Sequence, residues 1–380
     1  MKAEASAPTG PDDVKRRNRG DRMRILVIGQ SVRNIAISAL RAGHSVVAAD
    51  CYCDLDLVEA VEAQRLRIED LVDADRINAI IESVDPDAVV MGPGVETVRI
   101  NGYRVLNNSP DRILRVSDKL WLARWLEERG YPHPTTWDGE PPYGCRMILK
   151  PRIGAGGCGC RIFEGGAVPP GYIIQEFVEG VPASASVICD GSDARTIAVN
   201  EQLSGTTWLN AYGFRYCGNI TPLDVDGDMR KRIARTAEEI VAGLGLVGSN
   251  GVDFILKGKI PVVIEVNPRF QGSLDSVELS TGISVFQAHL NAFDGRLPER
   301  CREMRFAGRA VLYSSERFRV DHDLRGITSC IADVPQPGTV IEMGEPVLSI
   351  LATGSVRDEV MRSLKERRDA IVGSVKRNFS

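Results

Sequence analysis

No apolar run in this sequence approaches the roughly 18 residues needed to cross a bilayer, so a membrane-spanning helix is excluded and a soluble protein is expected. Excess positive charge is lacking too: 47 Lys and Arg stand against 51 Asp and Glu, a net charge of −4. Nucleic acids and anionic membranes both select strongly basic surfaces, so neither is an expected partner. Histidine is scarce, and the four residues His44, His133, His289 and His322 are scattered enough to be assigned to structure or surface. The nine cysteines are odd in number and sit in apolar or glycine-rich segments, unlike a secreted disulfide framework, which points to a reducing cytoplasm. Cys51/Cys53 and Cys158/Cys160 are each C-x-C without a nearby histidine at ligand spacing, so they read as structural or incidental thiols. Residues 1–22 have no apolar stretch after the Lys15-Arg16-Arg17 cluster and read as a disordered tail instead of a signal peptide.

Two common nucleotide motifs are also missing. Gly29 is followed by Gln30, Ser31, Val32, Arg33 and Asn34, where a dinucleotide fingerprint needs bare glycine backbone, although Asp50 ends the next strand about where a ribose-binding acid would sit. No Gly-Lys-Ser/Thr follows a glycine loop, so a Walker A site is absent.

What is present is length and alternation. With 380 residues the chain exceeds what one core usually serves, and two or three units are expected. Strand runs at 24–29 and 45–50 flank a helix at 32–42, and a helix at 70–84 precedes a strand at 88–91. Ser117 is the expected N-cap of a helix that stops at Gly130. Strands follow at 146–150, 159–163, 172–177, 184–189 and 196–202, then a helix at 229–244, adjacent strands at 251–256 and 261–266 read as a hairpin, and a helix at 284–293. Strand-like pieces at 310–313 and 347–351 and a charged helix at 356–372 complete the chain.

Three local patterns carry chemistry. Asp253 lies in the first hairpin strand and Glu265 in the second, and Asn267 follows Glu265 by two, so their side chains share a face. Hard oxygen donors near a phosphate chain are what Mg²⁺ uses, while a plain charged hairpin face is the structural alternative. Lys150 ends a strand before Gly154, Gly156, Gly157 and Gly159, a loop whose backbone N–H groups could fold over phosphates or could be a simple mobile turn. Gln175, Glu176, Phe177 and Val178 form an extended segment of the kind that reads an adenine edge.

The order of these features resembles the ATP-grasp superfamily: Asp118-Lys119, then Lys150 before the glycine loop, then Gln175 to Val178, then Asp253, then Glu265-Val266-Asn267-Pro268-Arg269. The match covers roughly residues 111–300. It implies an α/β ATP-grasp fold with an N-terminal Rossmann-like (pre-ATP-grasp) domain at 23–110, the ATP-grasp domain at 111–300 and a small C-terminal capping domain at 301–380. By resemblance, Lys119 and Lys150 contact ATP phosphates, the loop from Gly154 to Gly159 closes over them, and Glu176 and Val178 bracket the adenine amine. Asp253, Glu265 and Asn267 match ligands of Mg²⁺ or Mn²⁺, and Arg269 matches an arginine that biotin carboxylase and carbamoyl phosphate synthetase place near the acyl phosphate. The stretch from Asn267 to Thr281 looks closest to a branch of predicted carboligases related to biotin carboxylase.

Two departures narrow the expectation. The position of the ribose-binding acid, seven residues beyond Glu176, is Ala183, and the glutamate of biotin carboxylase two residues beyond Gln271 is Ser273. The resemblance implies an ATP-dependent carboxylate–amine ligase, cytoplasmic and as a homodimer, that forms an acyl phosphate and releases ADP. The alternatives are a bicarbonate-dependent carboxylase and an ATP-binding protein without turnover. Arg269 and Lys150 are the expected catalytic residues, Gly272 and Ser273 lie where the carboxylate would sit, and Ser31, Arg33 and Asn34 are candidates for the second substrate at a cleft. Arg215, Tyr216 and Asn219 read as a polar loop that either faces the cleft or is plain surface.

Overall fold

The computed structural model describes residues 22–139, 144 and 146–377. The expected tail at 1–22, with its Lys15-Arg16-Arg17 cluster, lies outside the described residues except for Arg22. No helix among the described residues is long and apolar enough to cross a membrane.

Four parallel strands form the first sheet, in the spatial order Glu62–Arg65, Ser45–Asp50, Arg24–Gly29, Ala88–Met91. Ile25 and Val27 point into one core and Leu26 and Ile28 into another, so the central strand is covered on both faces. That is why it reads as an unbroken apolar run. The helix expected at 70–84 is split: a 3₁₀ turn at Ile68–Val72 ends at Asp73, whose carboxylate accepts from Arg76 N at 3.0 Å and caps the Ala74–Val84 helix. A similar shift occurs at Ser117, which ends the Pro110–Ser117 helix and caps nothing. Asp118 is the N-cap of the Lys119–Glu128 helix, accepting from Leu120 N and Trp121 N, and the Arg152 guanidinium grips its two oxygens at 2.8 and 2.6 Å. An aspartate at this position also matches the positive helix end, and it fixes Lys119 as the first helical residue.

The nucleotide-binding half expected from sequence consists of two antiparallel sheets. The smaller has the order Thr136–Trp137, Tyr172–Glu176, Met147–Pro151, Arg161–Ile162. The larger runs Ile260–Asn267, Val247–Lys257, Val181–Asp190, Ala194–Ser204, Tyr216–Thr221, Phe306–Tyr313, Pro346–Gly354, Ile331–Ala332. The Gly227–Gly243 helix covers one face of the larger sheet through Ile233, Ala237, Ile240 and Val241. Helices Leu274–Thr281 and Val285–Ala292 cover the other through Val277, Val285 and Phe286. The segment after residue 300, expected to cap the molecule, adds two long strands to this same sheet, and the Arg357–Arg377 helix packs on them through Val360, Leu364 and Ile371. Tyr216, Cys217 and Asn219 belong to a sheet strand, not to the loop expected there, and Arg215 lies just before it.

Candidate active site

In the hairpin, Leu256 stands opposite Pro261 and Phe254 opposite Val263, yet Asp253 stands opposite Glu265. Ile264 is therefore an extra residue, a β-bulge. Continuing the regular register would pair Asp253 with Ile264 and leave Glu265 opposite Val252, a core residue. Bulges re-aim side chains in this way, and here the bulge gathers Asp253, Glu265 and Asn267 on one wall.

Asp253 Oδ1 accepts from Gln202 Nε2 at 2.8 Å and its Oδ2 from Asn267 Nδ2 at 3.0 Å. Burial, and next the Glu265 carboxylate, push the Asp253 carboxyl up to about 7. Paired acids in this condition are suited to a cation. No group of three or more His, Cys, Asp or Glu side chains that could hold a metal occurs among the described residues, so an ion on these two carboxylates and one amide must draw further oxygens from a ligand. A donor set of that kind fits Mg²⁺, which shares its shell with substrate phosphates.

Two lysines face the acids. Lys119 Nζ donates to Gly154 O at 2.7 Å and lies 3.6 Å from Glu265 Oε2. Lys150 Nζ is buried and donates to Gln175 Oε1 at 2.7 Å, and burial lowers its pKa from the usual lysine value. Gln175 completes its bonding through Nε2 to Thr136 Oγ1 at 2.9 Å, so its side chain orients Lys150, leaving Glu176, Phe177 and Val178 as the segment that faces a base.

Around them lies one cavity of about 380 Å³ between the two antiparallel sheets. Every residue read from sequence as a nucleotide, metal or catalytic contact, except Gly159 at the end of the glycine loop, lines it, as do Gly272 and Ser273. Cys158 and Cys160, read as incidental thiols, line it too. The glycine loop is seated on the Phe214–Tyr216 segment: Tyr216 N donates to Gly156 O at 3.0 Å, and a Cβ on Gly157 would lie 1.9 Å from Phe214 O. Gly157 also has φ +72°, a region that costs an L-residue about 1–2 kcal/mol. Gly157→Ala is thus expected to lift the loop and raise the KM for ATP about tenfold or more, with an unchanged melting temperature, as read by steady-state kinetics and calorimetry.

At the far end, Arg269 Nε lies 3.4 Å from Glu96 Oε1, and Gln271 Nε2 donates to Arg269 O. Gly272 O accepts from Arg309 Nη1 at 3.1 Å, and Ser273 Oγ is 3.1 Å from Ser186 Oγ. Tyr216 borders the same space, and desolvation holds its phenol well above the usual tyrosine range. Glu96, Gln202, Ser204 and Arg309 were not singled out in the sequence; each is a lone polar residue in an unremarkable segment, and the sheet order brings the last three to the site while Glu96 reaches it from the turn after Ala88–Met91.

Other expected contacts fall elsewhere. Arg33 is 3% exposed and clamps Asp275 with two bonds of 2.8 and 2.7 Å while also bonding Asp333 at 2.8 Å, so it is an internal ion pair and not a cleft residue. Asn34 Oδ1 accepts from Ile35 N at 2.9 Å, a local helix-start contact, and Ser31 lines a different cavity. Asn219 is buried beneath the site, and Arg215 turns to Gly344 O and the Tyr313 ring. Ala183 faces the core, while its strand neighbours Pro182 and Ser184 line the nucleotide cavity, as period-two alternation requires. His289 is pushed down to about 4 by burial, and its two ring nitrogens are satisfied by Ser249 N and Leu106 O.

Residues 116–273 match a family model described as an ATP-grasp domain. An uncharacterized protein of Methanocaldococcus jannaschii is 24% identical over 366 residues, spanning 89% of this chain and 90% of that protein. Formate-dependent phosphoribosylglycinamide formyltransferase of Edwardsiella ictaluri is 24% identical over 311 residues, spanning 72% of this chain and 76% of the enzyme. Among solved structures, biotin carboxylase of Campylobacter jejuni superposes with a TM-score of 0.74 at 15% identity, covering 93% of this chain and 95% of the other, which shows a shared fold. Residues 116–273 therefore form a segment that matches the ATP-grasp domain, within a chain whose fold is shared with biotin carboxylase.

Proposed function

We propose that the protein is an ATP-dependent carboxylate–amine ligase that works through an acyl phosphate and releases ADP and phosphate. The observation that carries this reading is the layout of one cavity: Lys119 and Lys150 on one side, the bulge-aligned Asp253, Glu265 and Asn267 opposite, and Arg269 beyond them. Glu176 to Val178 would receive the base, and the glycine loop would cover the phosphates. Asp253, Glu265 and Asn267 would hold Mg²⁺ or Mn²⁺, which supplies charge neutralisation for the phosphate chain.

A carboxylate is a poor electrophile. With its negative charge met by Arg269, one of its oxygens attacks the γ-phosphorus, the bond to the β-phosphate bridging oxygen breaks, and ADP leaves. An amine nitrogen then attacks the acyl carbon, phosphate departs and the nitrogen loses a proton. Positioning and charge do most of this work, so no protein nucleophile is required. The relative from Edwardsiella ictaluri is named for formate and phosphoribosylglycinamide, an acid and an acceptor, and supports an acid-plus-acceptor reaction. Ser273 is bonded to Ser186 and offers no general base, which favours an amine acceptor over bicarbonate activation.

The expected catalyst is a homodimer in the reducing cytoplasm acting on small molecules, and the eight described cysteines, all free thiols, fit that compartment. ADP release measured over a matrix of carboxylates and amines with Mg²⁺ tests the activity. Turnover that needs both partners is expected. Turnover with bicarbonate and no amine would replace the ligase by a carboxylase, and ATP-induced stabilisation without ADP from any pair would remove the enzyme reading.

A further inference from the structure

A second cavity, of about 150 Å³, lies between the first sheet's 50–54 loop and the C-terminal strand Pro346–Gly354. Asp54, Arg65, Arg309, Asp333 and Glu345 supply its charged lining, with Val311 and Val340 among its apolar walls. The charges differ in one respect. Arg65 is occupied by Cys51 O and Tyr52 O, and Arg309 by Asp333 and Gly272 O. Asp333 is held between Arg33 and Arg309. Asp54 is 7% exposed, and its side chain caps no N–H of the helix that follows it and pairs with no basic side chain among the described residues. A buried carboxylate aimed into a cavity without a donor is costly, and a cationic ligand would satisfy it.

We infer that this cavity is a binding site for a small primary ammonium compound, with Asp54 as its counter-ion. An anion is disfavoured because the three carboxyl groups of Asp54, Asp333 and Glu345 outnumber the two arginines in the lining, and the volume admits a short-chain amine but not a nucleotide. Arg309 separates this site from the nucleotide cavity and touches both, through Asp333 on one side and Gly272 O on the other. The amine acceptor of a ligase and a separate amine modulator share this chemistry.

Burial, then Asp333, Asp50 and Asp56, push the Asp54 carboxyl up to about 8, with Arg33 opposing; Tyr52, Arg65, Arg309 and Glu345 also face the cavity. A bound ammonium must therefore displace a proton from Asp54 near neutral pH. Affinity should rise about tenfold between pH 7 and pH 9, where an alkylammonium with a lysine-like pKa remains largely charged.

Calorimetric titration of the full chain with n-butylammonium chloride, without ATP, tests the site independently of any turnover. Saturable binding is expected, with no comparable binding of butyrate, and Asp54→Asn should weaken it at least tenfold. Val340→Trp, a change at a half-exposed wall residue that leaves the core untouched, should also weaken it at least tenfold. Non-saturating heats, equal binding of butyrate, or unchanged affinity in Val340→Trp would overturn the inference. With Mg·ATP and a carboxylate present, incorporation of labelled butylamine into product identifies the site as the acceptor site. Altered ADP release without incorporation identifies a modulator site.

Discussion

Glu265→Gln should lower Mg·ATP-dependent ADP release by about 10²–10³-fold or more, the range found when one preorganised electrostatic contact to a transition state is removed. The substitution keeps the shape of the strand and deletes one of two carboxylates available to a divalent ion. It also relieves Asp253, whose carboxyl Glu265 helps to push up to about 7, so the metal-free variant should melt no lower than the parent. The half-saturating Mg²⁺ concentration should rise as well. Full activity in a folded Glu265→Gln variant would contradict the metal assignment.

Arg33→Met should destabilise the fold by about 3–5 kcal/mol, the cost of leaving buried ion-pair partners uncompensated. Arg33 joins three parts of the chain: its own helix, Asp275 at the start of the Leu274–Thr281 helix, and Asp333 of the C-terminal segment. Asp333 sits well below the usual aspartate range because Arg33 and Arg309 outweigh its burial. A carboxyl lowered in this way contributes its full stabilisation above about pH 4, and the contribution is lost as the pH falls further. The gap between parent and variant, read by urea denaturation, should narrow on acidification. A loss below about 1 kcal/mol accompanied by a changed KM would return Arg33 to the second-substrate role first expected of it.

The contrast between these two residues shows what was legible in the sequence. Asp253, Glu265 and Asn267 are close in sequence and sit on a hairpin, so their grouping can be read from strand alternation, although the Ile264 bulge that aligns them cannot. Arg33 lies 242 residues from Asp275 and 300 from Asp333, and no local pattern records such partners. The Tyr216–Thr221 strand was hidden for a related reason. Its buried polar side chains are satisfied by Asn200 and Ser276 from other elements, so the segment looks like an exposed loop. Likewise the Leu274–Thr281 helix buries Asp275, Ser276 and Ser280, which masks its apolar period. The parallel strands of the first sheet, covered by apolar side chains on both faces, needed no such partners and were read correctly at Arg24–Gly29 and Ser45–Asp50.

The chemistry at Arg269 is best followed through oxygen. With a heavy-oxygen-labelled carboxylate from an acid and amine pair that supports turnover, the acyl phosphate route carries one labelled oxygen into the released phosphate, visible as an isotope shift by phosphorus NMR. Unlabelled phosphate, or AMP and pyrophosphate in place of ADP, would contradict it.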